Sequence, residues 1–385
     1  MDIKKQVNQA EFHLGQALLS GKSVNWRAVE SKEKKPAVVE SYFVNIPDNQ
    51  VEPKPISILS ALLTGFDRIA AKPLLILPPV LLDLFLWFGP HLTVTSLLHA
   101  AAAGLSIPAG TDPGMMEQLA FFQETLDLFS ERYNLLTSFS TLPGGMPFNF
   151  LFALLTSVSV GIPSLVAGRM PVLTPLGLAS QLEVLDPIFV LLIWFTLALA
   201  GIGAGAIFHR WVAKQTDPEA EFDHLWRDWM KLVFLAIGGY LLTVVVLTTG
   251  MLVAGINGLT YIALPVLFVT GVYLAFTPHG IIRYRLGIWS AIKQSVRVVR
   301  FNFFGSTGYL LTAFLIMWVS TYKVWSLAQE DSWIFALAIM GHAFIATMLI
   351  AGSYVFFQGR RDWLEWQLAR IMNVLNQEKT KLTEE

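Results

Sequence analysis

The chain has no cysteine, which excludes structural disulfides, thiolate metal sites and cysteine nucleophiles. Charge is scarce as well. Only 14% of the residues are Asp, Glu, Lys or Arg, against about 25% in soluble domains. A net charge of −1 argues against a nucleic-acid partner, whose phosphate contacts need a concentrated basic surface. Catalytic patterns are missing too: no GxSxG, no Walker loop and no paired carboxylates in an ordered motif. The histidines, His13, His91, His99, His209, His224, His279 and His342, form no HxxxH or HxH pair. No catalytic residue, metal or cofactor is expected.

What is abundant is apolar. Of 385 residues 54% are hydrophobic, with 12 Trp, 9 Tyr and 27 Phe, which places the chain among polytopic membrane proteins. The organising stretch is Ile56 to His91. Its first half reads as an amphipathic helix with Leu59, Leu62, Phe66 and Ile69 on one face. Arg68, Lys72 and Pro73 then form a basic collar and a break, where a chain lying on a membrane would turn to enter it. The second half is the first span.

Five further apolar runs, near Pro187–Phe208, Leu232–Ala254, Gly258–Thr277, Phe303–Tyr322 and Trp333–Phe357, are each about 20 residues long and can cross a core of about 30 Å. The expected fold is an all-α integral membrane protein with six transmembrane helices and interfacial amphipathic helices. A long extracytoplasmic insertion, about residues 95–186, separates spans 1 and 2. With the N-terminus inside, 24 of the 27 Lys and Arg fall on the cytoplasmic side, and only Arg132, Arg169 and Lys323 fall outside. Residues 1–55 read as a cytosolic, partly disordered tail and 56–357 as the membrane domain. Residues 358–385 read as a cytosolic amphipathic helix presenting Leu364, Leu368, Ile371 and Leu375. The first residues carry no apolar signal core, so the first span is expected to act as an uncleaved anchor. Both termini are then cytoplasmic, in the cell membrane. The apolar run 148–166 is read as re-entrant or interfacial, because making it a span would spoil the charge bias downstream.

Moving the opening helix by 230 positions lays Leu59, Leu62, Phe66 and Ile69 on Trp289, Ile292, Val296 and Val299, and Ser60-Ala61 on Ser290-Ala291. A shift of 163 gives Phe222, Leu225, Trp229 and Leu232. The resulting expectation is three units, each an interfacial helix followed by a helical hairpin. The stretches ALLTGFDRIAAKPLLILPPVLLDLFLW and SAIKQSVRVVRFNFFGSTGYLL resemble bacterial multipass proteins similar to the membrane domain attached to some glycerophosphodiester phosphodiesterases. The resemblance covers the spans and their preceding helices. It implies a membrane domain without the phosphodiesterase barrel, which has no counterpart here.

Within the spans, ionisable groups are the natural functional candidates. Asp83 lies about 16 Å deep counted from Lys72, and about half that counted from Pro78-Pro79. It is read either as a functional carboxyl or as a hydrogen-bonded packing element. His342, in the last span, could pair with it as a proton relay or hydrogen-bond to its own surroundings. Gly201 and Gly205 in GIGAGA, with Gly305 and Gly308, are expected to bring helices together. Arg68, Lys72, Lys293, Arg297, Arg300, Arg360 and Arg361 are expected at the membrane surface. The partners implied are the lipid bilayer and other membrane-protein subunits. A non-enzymatic scaffold or accessory subunit leads, ahead of a transporter or channel using Asp83, and then a lipid-processing enzyme.

Overall fold

A computed structural model describes residues 54–104, 113–140, 160–216 and 224–384. The tail to residue 53 and the part of the 148–166 run before Val160 lie outside the described residues. Helices make up 83% of the structure and there is no closed sheet, so the all-α class holds. Two short strand pairs occur among the described residues.

The opening stretch folds as α1 (Ile58–Ala71), a 3-10 turn (Pro73–Ile76) and α2 (Leu77–Phe88). Ser57 caps α1 by accepting the Ser60 N–H at 3.1 Å. Lys72, restricted by the proline after it, leaves the helical region at φ −137°, ψ 68°. The two limbs then meet at 98°.

Past β1 (His91–Thr93) come α3 (Thr95–Gly104), α4 (Pro113–Arg132) and a 3-10 turn (Leu135–Ser140). Then follow α5 (Leu165–Arg169), β2 (Leu173–Thr174), β3 (Gly177–Leu178) and β4 (Gln181–Glu183). β1 pairs in parallel with β4, His91 opposite Gln181. This brings the far end of the insertion back to the exit of α2.

The remaining helices are α6 (Pro187–Thr216), α7 (Leu225–Gly258), α8 (Leu264–Leu274), α9 (Thr277–Tyr284), α10 (Ile288–Phe301), α11 (Phe303–Val319) and α12 (Ile334–Glu384). Among the described residues five segments are long and apolar enough to cross a membrane: Pro187–Thr216, Leu225–Val253, Tyr261–Tyr284, Phe303–Leu327 and Ile334–Val374. The bent α1–α2 pair is a sixth if counted as one span. Between α7 and α8 a π-helical turn, Leu259–Ala263, precedes Pro265, and the chain doubles back. Lys231 Nζ donates to the Arg285 carbonyl at 3.3 Å, whereas a straight helix would hold those residues roughly 80 Å apart.

Three expectations change. The buried face of α1 is Ala61, Leu62, Gly65 and Ile69, while Leu59 and Phe66 are 66% and 45% exposed. The contact face is therefore turned by roughly 65° from the large-residue seam. A Cβ on Gly65 would lie 2.6 Å from the backbone of Gly352 and Met348 in α12. Where lipid solvates leucine as well as protein does, small residues decide which face packs. In the third unit Leu225, Trp229 and Leu232 belong to the one long helix α7 rather than to a separate helix ahead of it, and Phe222 lies outside the described residues. Finally, α12 runs from Ile334 to Glu384 without a break, where two helices were expected. Leu364 in it is buried rather than offered to lipid.

The 230-residue shift fares differently. α10 spans the positions of α1 moved by 230 at both ends, each 14 residues long. Asn302 ends α10 at φ −141°, ψ 48°, with its N–H on the Val299 carbonyl, as Lys72 ends α1 with its N–H on Ile69. Ala61, Gly65 and Ile69 are matched by buried Ala291, Ser295 and Val299.

Candidate functional site

Asp83 stands in the second turn of α2, fully buried. Its Oδ1 accepts from the Ser164 hydroxyl and from the Val166 N–H at 3.2 Å, and Oδ2 accepts the Leu165 N–H at 3.0 Å. Ser164 is itself the N-cap of α5, accepting the Ala167 N–H at 2.9 Å. The first donors of α5, which have no intrahelical partners, are thus satisfied by a serine of their own and a carboxylate 82 residues earlier.

The other end of α5 is tied down as well. Arg169 donates to the carbonyls of Trp325 at 2.8 Å and Ala328 at 3.2 Å, and lies over the Phe335 ring at 4.9 Å. Glu330 is 4.0 Å from Arg169 and 3.7 Å from Arg132. Trp87, one turn beyond Asp83, shares its indole N–H between the Leu173 and Glu330 carbonyls at 3.1 and 3.2 Å. The segment holding α5 and β2 is therefore bolted to α2 and to the α11–α12 connection. Two titrating groups sit in this layer. Burial pushes the His91 imidazole below its ordinary value of 6.5, opposed by its hydrogen bond to the Leu86 carbonyl. Hydrogen bonds from Ser96 hold the exposed Glu183 carboxyl below the usual carboxylate range.

Asp83 and His342 are not brought together. His342 is buried in α12 and its Nδ1 lies 3.4 Å from the Thr321 hydroxyl, while Asp83 has the three partners named above. Gly201 and Gly205 do allow close approach, but to the insertion rather than to a span. A Cβ on Gly201 would strike the Phe139 backbone, and one on Gly205 the backbone of Val160 and Gly161. A Cβ on Gly308 would lie 3.0 Å from the Ile58 side chain of α1, whereas one on Gly305 would strike the side chain of Asn302. Of the basic residues, Lys293, Arg297 and Arg300 are exposed on α10. Arg68 and Lys72, though exposed, are engaged within the protein. They donate to the Gln215 carbonyl at 2.9 Å and its Oε1 at 2.5 Å, placing two cations at the C-terminal end of α6, where the helix dipole favours them. Arg360 and Arg361 are half-buried, with Arg361 on Glu365 at 2.7 Å.

A second polar layer was not anticipated. His209 Nδ1 lies 3.3 Å from the Tyr354 hydroxyl, the His279 ring is 4.3 Å from the Tyr354 ring, and His279 Nε2 is 2.7 Å from the Ser353 hydroxyl. Next to it, buried Arg210 pairs with Asp228, which also takes Lys231 at 3.1 Å. His209 and Tyr354 are 145 residues apart, so no local spacing could have revealed them. The available signal was one histidine just ahead of the basic residues on each of two short basic loops. Among the described residues no group of three or more His, Asp or Glu could hold a metal ion. Two shallow surface depressions are lined by Leu192, Ile193, Thr196 and Leu197, and by Leu315, Ile316, Val319, Ser320 and Val324. Neither includes Asp83 or His342.

No family model, curated protein or solved structure matches the chain.

Proposed function

We propose that this chain is a six-span protein of the cytoplasmic membrane, both termini inside, acting as a non-enzymatic scaffold or accessory subunit of a membrane complex. The observation that carries this reading is the use made of its buried polar groups. Asp83 caps α5, His342 meets Thr321, and the Tyr309 hydroxyl donates to the Leu349 carbonyl at 2.9 Å. Each joins one part of the chain to another, and none converges with others on an open polar cleft. A transporter would need Asp83 to reach water, and its three hydrogen bonds count against that. The charge bias supports the orientation. The 3-10 turn and α2 together measure about 26 Å, close to a hydrocarbon core of about 30 Å. The resemblance to the membrane domain attached to phosphodiesterases belongs to the same proposal, as does the repeat that relates α1–α2 to α10–α11.

Exposed Leu59, Leu63, Phe66, Leu74, Leu81 and Phe85 along the bent pair give such a subunit an apolar flank for lipid or a partner helix. The test is gentle extraction followed by crosslinking from cysteines introduced at Leu63 or Leu81, against reconstitution for solute or proton flux. A recurrent membrane-protein partner at these sites is expected. Flux abolished by Asp83→Asn would overturn the scaffold in favour of transport. Single cysteines at Asp127 and Ser332 should label from outside, and labelling only after permeabilisation would overturn the orientation.

A further inference from the structure

α1 and α10 share length and C-terminal backbone geometry but differ on their exposed face. At 100° per residue, Trp289, Lys293, Arg297 and Arg300 fall within roughly 80° of the α10 circumference, opposite buried Ala291, Ser295 and Val298. All four are exposed, Trp289 by 74%, and Phe304, 85% exposed, follows just beyond. The corresponding positions of α1 are Leu59, Leu63, Asp67 and Ala70. No Asp or Glu occurs anywhere between Asp228 and Glu330, so the segment holding α10 supplies no carboxylate of its own to this stripe. A cationic stripe flanked by aromatic rings at the level where a helix turns into a span has the chemistry of an anionic membrane surface. The rings suit the headgroup boundary and the cations suit lipid phosphates.

We infer that the outward face of α10 is a docking surface for anionic phospholipid headgroups of the cytoplasmic leaflet, with Lys293, Arg297 and Arg300 as the phosphate contacts and Trp289 as the interfacial anchor. The helix thereby makes the protein selective for membrane regions rich in such lipids. This rests on the proposed orientation, which places α10 inside.

The experiment uses the full chain reconstituted in mixed phosphatidylcholine and phosphatidylglycerol vesicles, re-extracted in mild detergent, with the retained lipid identified by mass spectrometry. Ser290→Cys, on the exposed side of α10, reports the membrane side in cells. Expected are enrichment of phosphatidylglycerol over the bulk ratio and loss of that enrichment in Lys293→Gln/Arg297→Gln/Arg300→Gln. Each charge removed should cost about fivefold in affinity, and the charge-preserving Lys293→Arg/Arg297→Lys/Arg300→Lys should restore it. Enrichment should also fall in high salt. Should the triple variant fail to fold, Lys293→Gln and Arg300→Gln singly must each lower the enrichment, and failure to do so sinks the inference. Cytoplasmic labelling of Ser290→Cys without phosphatidylglycerol preference overturns the lipid surface and leaves the scaffold reading standing. Labelling from outside overturns the orientation and the inference together. Crosslinking of Ser290→Cys to an acidic protein in native membranes, with no lipid preference, makes the stripe a protein interface instead.

Discussion

The helix pairs α1–α2 and α10–α11, 230 residues apart, share the length and the C-terminal backbone geometry of their first helix and are loaded differently. In the first, Gly65 lies against the α12 backbone, so the helix docks by closeness alone. In the second the matching residue is Ser295. Its hydroxyl donates to the Tyr273 carbonyl at 2.7 Å and accepts the Phe276 N–H at 3.2 Å. The helix after α1 carries Asp83, which holds the start of α5. At the corresponding position of the second stands Ala313, in a span followed by no insertion. Even the helix ends reach the same backbone angles by different means, one by a following proline and one with Asn302. The same helix length and ending thus tolerate different occupants once the small-residue contact face is kept.

The comparison breaks most readily at Asp83. Asp83→Leu strands the Leu165 and Val166 N–H groups and the Ser164 hydroxyl, at about 1–3 kcal/mol for each buried donor. A thermal melt in detergent should fall by many degrees, and Asp83→Asn, which keeps an acceptor, by clearly less. A wild-type melt for Asp83→Leu would remove the tether from the account. Next come the two docking positions. Gly65→Leu forces α1 off α12 and should cost about 1–3 kcal/mol, while Ser295→Ala should cost about 1 kcal/mol by leaving Phe276 without its acceptor. Equal effects from the two would mean that the two helices dock by one mechanism after all.

A smaller effect concerns the outer layer, which only the first pair has. His91 is buried and held neutral, its folded value below 6.5. Its contribution is complete above 6.5 and declines as the pH falls toward the lower folded value. Amide protection at Gln181–Glu183, corrected for the intrinsic exchange rate at each pH, should fall with acidity in the wild type, and less in His91→Gln. No difference between the two would place the acid sensitivity elsewhere. Smallest of all, Lys293→Gln/Arg297→Gln/Arg300→Gln should move the melt by within about 0.5 kcal/mol, since the stripe faces away from the protein. A large loss would show these side chains to be internal supports.

How far the sequence was legible follows from the same residues. The long apolar helices came through because about 20 apolar residues in a row have few alternatives. The equal lengths of α1 and α10 accompany the matched Ser-Ala dipeptides. The face of α1 that packs on the protein was not read at all, because the spacing of large residues marks an apolar seam and is silent about small ones. Gly65 and Ala61 win where lipid is the alternative. The role of Asp83 was legible only as a pair of options, since its partners lie more than 80 residues away in a serine-capped turn with no hydrophobic period of its own. The His209–Tyr354–His279 layer was hidden for the same reason.

The tether at Asp83 also sets a timetable. Ser164 is made 81 residues after Asp83, roughly 4–16 s later at ordinary synthesis rates. On the six-span reading, the first span enters the bilayer carrying a carboxyl group whose partners do not yet exist. On insertion scales an aspartate at a helix centre opposes entry by about 2.5–3.5 kcal/mol. The span therefore begins as a poor membrane segment and becomes a good one only when α5 arrives. Truncated chains ending before Ser164 should slip back to the cytoplasmic side more often than chains that include Arg169, and the Asp83→Leu change should erase that difference.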